Sequence, residues 1–109
     1  MYSIRISFLA AAMMHVEGAY STISLSHRNN NPGNLRKWGN MPIVSGYAKF
    51  PRLIDGYHAL LNDIWTNRTM TIGAFLTKFA PKSENDLKMY ISEVCTITGF
   101  NEGDIIDVA

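Results

Sequence analysis

Apolar residues recur at helical spacing in four stretches of the chain, and a polar segment without that spacing follows the first of them. The first stretch, residues 3–17, is apolar around much of its circumference, so we expect it to be the central helix of the core. Its apolar positions are Ile4, Phe8, Leu9, Ala12, Met13 and Val16. Gly18 is expected to end this helix, because glycine readily adopts the left-handed conformation found there.

The three other helical stretches come after residue 52. The first is "LIDGYHALLNDIWTN", whose expected apolar face consists of Ile54, Tyr57, Leu60, Leu61, Ile64 and Trp65. The second is "TIGAFLTKFAP", where Ile72, Phe75, Leu76 and Phe79 repeat the pattern. Pro81 should stop this second helix. The third is "SENDLKMYISEVCTITG", in which Ser83 and Asp86 have the spacing of a capping box and Gly99 closes the helix.

Two different segments separate the first helix from the others. Residues 19–35 are dense in Ser, Asn, Pro and Gly and predict a loop held by its own side chains. Between residues 36 and 50, turn signals at Gly39-Asn40 and Ser45-Gly46 predict a small β-hairpin or sheet. The chain is therefore expected to form one α+β, mostly α, domain over residues 1–109, with a β lobe on one side of a cleft.

Composition narrows the class of protein. Hydrophobic residues make up 47% and charged residues 17% of the 109 positions, which is typical of a soluble globular chain. The net charge is +1, yet no Asp or Glu occurs between Gly18 and Ile54. That segment holds Arg28, Arg36, Lys37, Lys49 and Arg52. The single cysteine, Cys95, excludes an internal disulfide, and no apolar run is long enough for stable membrane insertion.

Glu17, in the last turn of the first predicted helix, is the candidate catalytic residue. The negative end of the helix dipole and the apolar neighbours Met13, Met14 and Val16 both favour the protonated form of a carboxyl group. Cleavage of a glycosidic bond needs such an acid, because the leaving oxygen must receive a proton. The alternative is an ordinary surface glutamate. If the first residues were instead a secretory signal, cleavage near Gly18 would remove Glu17.

The polar loop "SHRNNNPGNLR" offers candidate ligands for a sugar. Amide side chains both donate and accept hydrogen bonds, so Asn29, Asn30, Asn31 and Asn34 could match hydroxyl and acetamido groups, with Arg28 or Arg36 available for a carboxylate. Asparagine also builds turns by bonding to nearby main chain, which is the more common use. Aromatic side chains of the β segment, such as Tyr47, could stack on sugar rings.

Two other classes of function remain open on these residues. The basic and aromatic residues of the middle segment could bind single-stranded nucleic acid, although the modest density of Lys and Arg weakens that reading. The three histidines lie in unlike segments with no metal-binding spacing, so we expect no metal and no cofactor.

One resemblance covers nearly the whole chain, from about residue 5 to residue 100. A helix ending in "EG", then "RNNNPGNLR", "GYAKF", "DGYHALL", "TIGAFLTKFAP" and "ENDLKMYISEV", resembles the small lysozyme-like lytic transglycosylases and muramidases of phage particles and phage lysis modules. The resemblance implies a lysozyme-like fold and activity on the bond between N-acetylmuramic acid and N-acetylglucosamine of peptidoglycan. Glu17 matches the family's acid/base, and Tyr90 resembles the helix tyrosine beside it. Asn34 and Tyr47 correspond to the edge of the groove.

The expected mechanism follows from a missing partner. Glycoside hydrolases normally use a second carboxylate about 5–10 Å from the first. In lysozyme-like folds it usually comes from the β lobe, and residues 18–54 supply none; Asp55 and Asp63 remain candidates but lie on or beside the following helix. A lytic transglycosylase that works with Glu17 alone and forms a 1,6-anhydro product is therefore favoured. A hydrolytic muramidase and a non-catalytic virion or wall-binding module are the alternatives. We expect a monomer, or a component of a virion or lysis assembly, made in the bacterial cytoplasm and acting on glycan strands in the periplasm or at the cell wall.

Overall fold

The computed structural model describes residues 3–79 and 83–107, and within them it has five helices and one β-hairpin. In chain order these are α1 (Ile4–Val16), α2 (Leu25–Arg28), β1 (Ile43–Val44), β2 (Tyr47–Ala48), α3 (Leu53–Thr66), α4 (Ile72–Phe79) and α5 (Glu84–Thr98). The prediction of a mostly helical α+β domain with a small β-hairpin is confirmed. The short helix α2 lies in the segment predicted to be loop, and Pro81, predicted to stop α4, lies outside the described residues.

Helix α1 is central to the helical part of the molecule, since it contacts both α3 and α5. Its buried residues are Ile6, Leu9, Ala10, Ala12 and Met13. Two of the apolar positions at helical spacing, Ile4 and Phe8, do not face the core, because they are 72% and 56% exposed. Both lie on the opposite side of α1 from Ile6, Leu9 and Met13, which α3 and α5 cover.

The core has two parts. The larger cluster joins α1, α3, α4 and α5, and its members include Met13, Leu60, Ile64, Phe75 and Val94. The smaller cluster lies under the hairpin and consists of Leu35, Ala48, Phe50 and Ala59. Phe79 packs against both. The β lobe is therefore fastened to the side of the helical lobe.

Two predicted positions on the apolar face of α3 lie outside this core. Ile54 is 44% exposed and Trp65 is 39% exposed, at opposite ends of the helix. The guanidinium of Arg68 stacks on the Trp65 ring, with 3.8 Å from its central carbon to the ring centroid. Because the Arg68 cation packs on the ring, part of the apolar surface of Trp65 is covered outside the core.

The hairpin is short and follows its turn signal. Ile43 pairs with Ala48 and Val44 pairs with Tyr47 in an antiparallel register. Ser45 and Gly46 connect the strands with φ angles of 55° and 87°. Two consecutive positive φ angles match the twist of the flanking strands, which is why this turn closes a tight hairpin.

The last described residues are better packed than their acidic composition suggests. Ile106 is 1% exposed, and its N–H donates to the carbonyl of Met70 over 3.0 Å. The N–H of Ile72 donates to the carbonyl of Asp104 over 2.8 Å. The C-terminal segment thus pairs with the connection between α3 and α4. Within the described residues, no helix is long and apolar enough to cross a membrane.

Candidate active site

The position of Glu17 is fixed by the way α1 ends. Gly18 adopts a positive φ of 78°, and the N–H groups of Gly18 and Ala19 donate to the carbonyls of His15 and Met14 over 3.1 and 2.9 Å. This pair of bonds is a Schellman motif, and it confirms Gly18 as the end of the helix. Glu17 is the C-cap residue and is half-buried.

Helix α2 holds the same point from the other side. The hydroxyl of Ser26, which is 1% exposed, donates to the main-chain carbonyl of Glu17 over 2.9 Å. The hydroxyl of Ser24 donates to the carbonyl of Gly18 and also caps α2 by accepting from the N–H of His27. The backbone of Glu17 is therefore bonded on both sides and has little freedom to move.

A cleft of about 420 Å³ opens beside Glu17, which places it within the usual range of ligand pockets, about 300–1,000 Å³. We call it the Glu17 cleft. Its walls include Val16, Glu17, Arg36, Asp86, Tyr90 and Glu93. Three predicted site residues, Glu17, Arg36 and Tyr90, are thus brought together from α1, the Asn-rich loop and α5.

Tyr90 is the buried neighbour of Glu17 in this cleft, with 4% of its surface exposed. Burial raises the pKa of the Tyr90 hydroxyl well above its usual range. The negative charge of the neighbouring Glu17 acts in the same direction. The hydroxyl therefore stays neutral and is available as a proton donor in a hydrogen bond to the Glu17 carboxylate.

The three consecutive asparagines bond to main chain. Asn31 is fully buried: its amide nitrogen donates to the carbonyls of Leu35 and Ala48 over 2.9 and 2.8 Å, and its oxygen accepts from the N–H of Leu35. The amide of Asn30 donates to the carbonyls of Phe50 and Pro51. These bonds join the loop to the hairpin and to the segment before α3. Only the bonds between Asn31 and Leu35 are of the local, turn-building kind, because the others connect residues 17 to 21 positions apart.

Asn29 extends the same arrangement. Its amide donates to the carbonyl of Val44 in β1 over 3.1 Å, and its side chain is 2% exposed. The N–H of Phe50 returns a bond to the carbonyl of Asn29 over 2.9 Å. The asparagine string therefore fixes both strands of the hairpin relative to α2.

Asn34 and Tyr47 do not line the Glu17 cleft directly. Asn34 has a φ of 52° and closes the turn by donating its N–H to the carbonyl of Asn31. Its side-chain oxygen is buried, and none of the described donors reaches it. Tyr47 is connected to the cleft through Arg36, whose guanidinium carbon is 5.3 Å from the centroid of the Tyr47 ring.

The structure also adds residues that the sequence reasoning missed. Asp86 and Glu93 are exposed carboxylates in the wall of the Glu17 cleft, although the β segment supplies no acid. Asp86 lies four residues before Tyr90 and Glu93 three residues after it, so all three lie on one face of α5. This spacing is the signal in the sequence that could have identified them. Ser26 carried no comparable signal, because a serine in a polar loop is unremarkable.

Comparison with known proteins gives no guide to this cleft. The chain matches no protein-family model, no curated protein and no solved structure. Among the described residues, no group of three or more His, Cys, Asp or Glu side chains could hold a metal ion. The assignment of the site depends on the geometry of Glu17, Tyr90 and Arg36.

Proposed function

We propose that this protein is a lytic transglycosylase that cleaves the β-1,4 bond between N-acetylmuramic acid and N-acetylglucosamine in peptidoglycan, with Glu17 as its acid/base. One observation carries the proposal. Glu17 is held at the end of α1, half-buried in a cleft whose wall also carries the buried, neutral side chain of Tyr90. A half-buried glutamate whose backbone is held in a cleft is suited to transfer a proton to a leaving sugar oxygen.

The reaction proceeds in two balanced steps. In the first, the Glu17 carboxyl gives its proton to the glycosidic oxygen, the bond to the muramoyl anomeric carbon breaks, and the substrate's 2-acetamido oxygen bonds to that carbon. In the second, the Glu17 carboxylate takes the proton of the muramoyl C6 hydroxyl while its oxygen displaces the acetamido oxygen. The products are a free N-acetylglucosamine end and a 1,6-anhydro muramoyl end, and no water is consumed.

Tyr90 and Arg36 have supporting roles in this scheme. After the first step, the neutral hydroxyl of Tyr90 donates a hydrogen bond to the Glu17 carboxylate. This bond orients the carboxylate toward the C6 hydroxyl. The guanidinium of Arg36, stacked near the Tyr47 ring, presents a positive charge to the same cleft. Tyr47 then acts on the substrate by orienting Arg36.

The asparagine loop acts mainly as scaffold. The amide groups of Asn30 and Asn31 are bonded to main chain, so they hold the wall that carries Arg36. Asn34 has a buried side-chain oxygen that no described donor reaches, and it lies two residues before Arg36. We assign Asn34 to shaping the loop at the groove edge.

A hydrolytic muramidase is the second candidate, and one observation favours it. Residues 18–54 contain no acid, but Asp86 and Glu93 of α5 place two further carboxylates in the Glu17 cleft. A second carboxylate could activate a water molecule against the anomeric carbon. The two candidates share Glu17 as acid and differ in what attacks the anomeric carbon.

Glu17→Gln tests the shared part of both candidates. The amide keeps the size of the side chain but cannot donate the catalytic proton, so we expect the rate of peptidoglycan clearing to fall about 10²–10⁴-fold. The thermal unfolding midpoint should stay within a few degrees of the parent, because Glu17 holds its place through its backbone. Turbidity of a cell-wall suspension and a melting curve measure the two effects.

Glu102→Gln is the matched control, since Glu102 is exposed and does not line the Glu17 cleft. It should clear cell walls at the parental rate. If Glu17→Gln protein also does so, the assignment of Glu17 is wrong. Parental protein that sediments with walls without clearing them would instead identify a binding module. Retardation of single-stranded DNA at moderate salt, with no effect on walls, would identify a nucleic-acid-binding protein.

A further inference from the structure

A second cleft adjoins the first through Arg36. It encloses about 290 Å³ between residues 35–37 and helices α3 and α4, and Arg36 lines both it and the Glu17 cleft. We call it the Lys78 cleft. Its charged residues are Arg36, Lys37, Lys78 and Asp63. A ligand bound at Glu17 could therefore extend into it past the Arg36 side chain.

The charges of the Lys78 cleft are predominantly positive. Arg36 and Lys37 are exposed and form no salt bridge with a described carboxylate. Lys78 is held in place, because its ammonium donates to the side-chain oxygen of Asn67 over 2.9 Å and Asn67 is only 9% exposed. Three cations face one carboxylate, so the cleft favours an anionic group.

Asp63 gives the cleft its second property. It is partly buried, and desolvation raises the pKa of its carboxyl while the charge of Lys78 lowers it. A carboxylate in this position accepts hydrogen bonds from N–H groups. It also repels the successive phosphate groups of a nucleic-acid backbone. The floor beneath these groups is apolar and consists of Leu35, Phe75 and Phe79. The cleft therefore suits a ligand with carboxylates, amide N–H groups and short aliphatic side chains. A peptide has all three.

We propose that the Lys78 cleft binds the carboxylate-bearing peptide that is linked through lactate to the muramoyl sugar in the Glu17 cleft. This inference rests on the proposed function, because the peptide reaches the cleft as part of the glycan. Lys37 and Lys78 bind its carboxylates, Asp63 accepts from its amide groups, and the aromatic floor covers its aliphatic side chains. The protein then prefers peptide-bearing glycan to bare glycan.

The test measures cleavage of peptide-bearing and peptide-free glycan by variants that each lack one positive charge of the Lys78 cleft. Lys37→Met and Lys78→Met keep the aliphatic stem and remove the ammonium. On peptide-bearing strands each should lower kcat/KM about tenfold through KM, the size expected for one charge-assisted hydrogen bond. On strands whose peptides an amidase has removed, both should match the parent. Lys49→Met is the control, because Lys49 is exposed and lines neither cleft.

Lys37 makes the test independent of folding, since no described hydrogen bond depends on its side chain, whereas Lys78 bonds to Asn67. Equal losses on both substrates, or no loss on peptide-bearing strands, would overturn the inference.

A binding measurement separates this inference from the proposed function. Glu17→Gln protein titrated with a soluble muramoyl peptide should show NMR shifts at the side-chain amide of Asn67, and Lys37→Met in the same background should weaken binding. If the parent cleaves no glycan, the proposed function fails while this titration still decides the inference. No shift at Asn67, or tighter binding of single-stranded oligonucleotide at the same site, would overturn it.

Discussion

Asparagine occupies two of the three non-glycine positions with positive φ among the described residues, at Asn30 and Asn34. Asparagine tolerates this conformation better than most residues, and its amide can bond to nearby main chain at the same time. In this loop both properties are used: Asn30 turns the chain and bonds to the carbonyls before α3. The asparagines that suggest sugar binding in the sequence are therefore also needed for the fold.

Asn31→Ala tests this at a single residue. The substitution leaves the N–H of Leu35 and the carbonyl of Ala48 without their side-chain partner, at about 1–3 kcal/mol for each buried group left unpaired, whereas the carbonyl of Leu35 still accepts from the N–H of Ala48. We expect the thermal midpoint to fall on the order of 10 °C. Calorimetry against Asn40→Ala, an exposed asparagine in the same segment, measures the difference. Equal midpoints for the two variants would contradict this role of Asn31.

Residue types predicted the site only in part. Glu17 could be chosen because an isolated acid after an apolar helix is unusual, and Tyr90 because of a resemblance. Their neighbours Asp86 and Glu93 resembled any exposed helix charges, although they share a face with Tyr90. What they contact depends on how α5 packs against α1, which no single residue type reveals.

At the scale of elements, helix α3 approaches the asparagine loop without a side chain between them. A Cβ added at Gly56 would overlap the carbonyl oxygen of Asn30. Gly56 lies in the first half of α3, where alanine would ordinarily stabilise a helix by about 0.5–1 kcal/mol. Close packing therefore determines the residue here, against helix propensity.

Gly56→Ala should destabilise the protein despite its higher helix propensity. The helix or the loop must move, which costs about 1–3 kcal/mol. Chemical denaturation would measure the loss in free energy of unfolding. Gly103→Ala is the matched control, because nothing lies within 4 Å of a Cβ at that position. A Gly56→Ala protein as stable as the parent would show that α3 does not pack directly on the loop.

Elements with strong periodicity were predicted well, and the others were not. The four long helices and the Ser45-Gly46 turn were found from spacing and from turn residues. Helix α2 is only four residues long and is stabilised by the Ser24 cap, so its sequence resembled loop. Ile106 was missed because the short apolar pair Ile105 and Ile106 among acids shows no helical period, although Ile106 fills the core.

At the scale of the whole molecule, the arrangement of two lobes places the chemistry. The radius of gyration is 13.1 Å, close to the value of about 13 Å expected for a compact chain of this size. The β lobe is attached through Phe50 and Ala59, and the loop that joins it to α2 carries Arg36 to the Glu17 cleft. Three separate segments of the chain thus build one cleft, which sequence order alone does not predict.

The two lobes also divide the charges. The segment from residue 18 to 54 holds no acid, while α5 brings Asp86 and Glu93 to the opposite wall of the Glu17 cleft. In the proposed function, a glycan in this cleft would meet a cation from the β side and carboxylates from the helical side. Whether the anomeric carbon is attacked from within the sugar or by water activated at α5 is the central mechanistic choice.

Mass spectrometry of the products released from purified cell wall in isotopically labelled water tests the central claim most directly. We predict muramoyl ends in the 1,6-anhydro form, lighter by one water than hydrolysed ends and free of the label, and no such ends with Glu17→Gln protein. Muramoyl ends that carry the solvent's oxygen would contradict the transglycosylase account, and unchanged release by Glu17→Gln protein would contradict the role of Glu17.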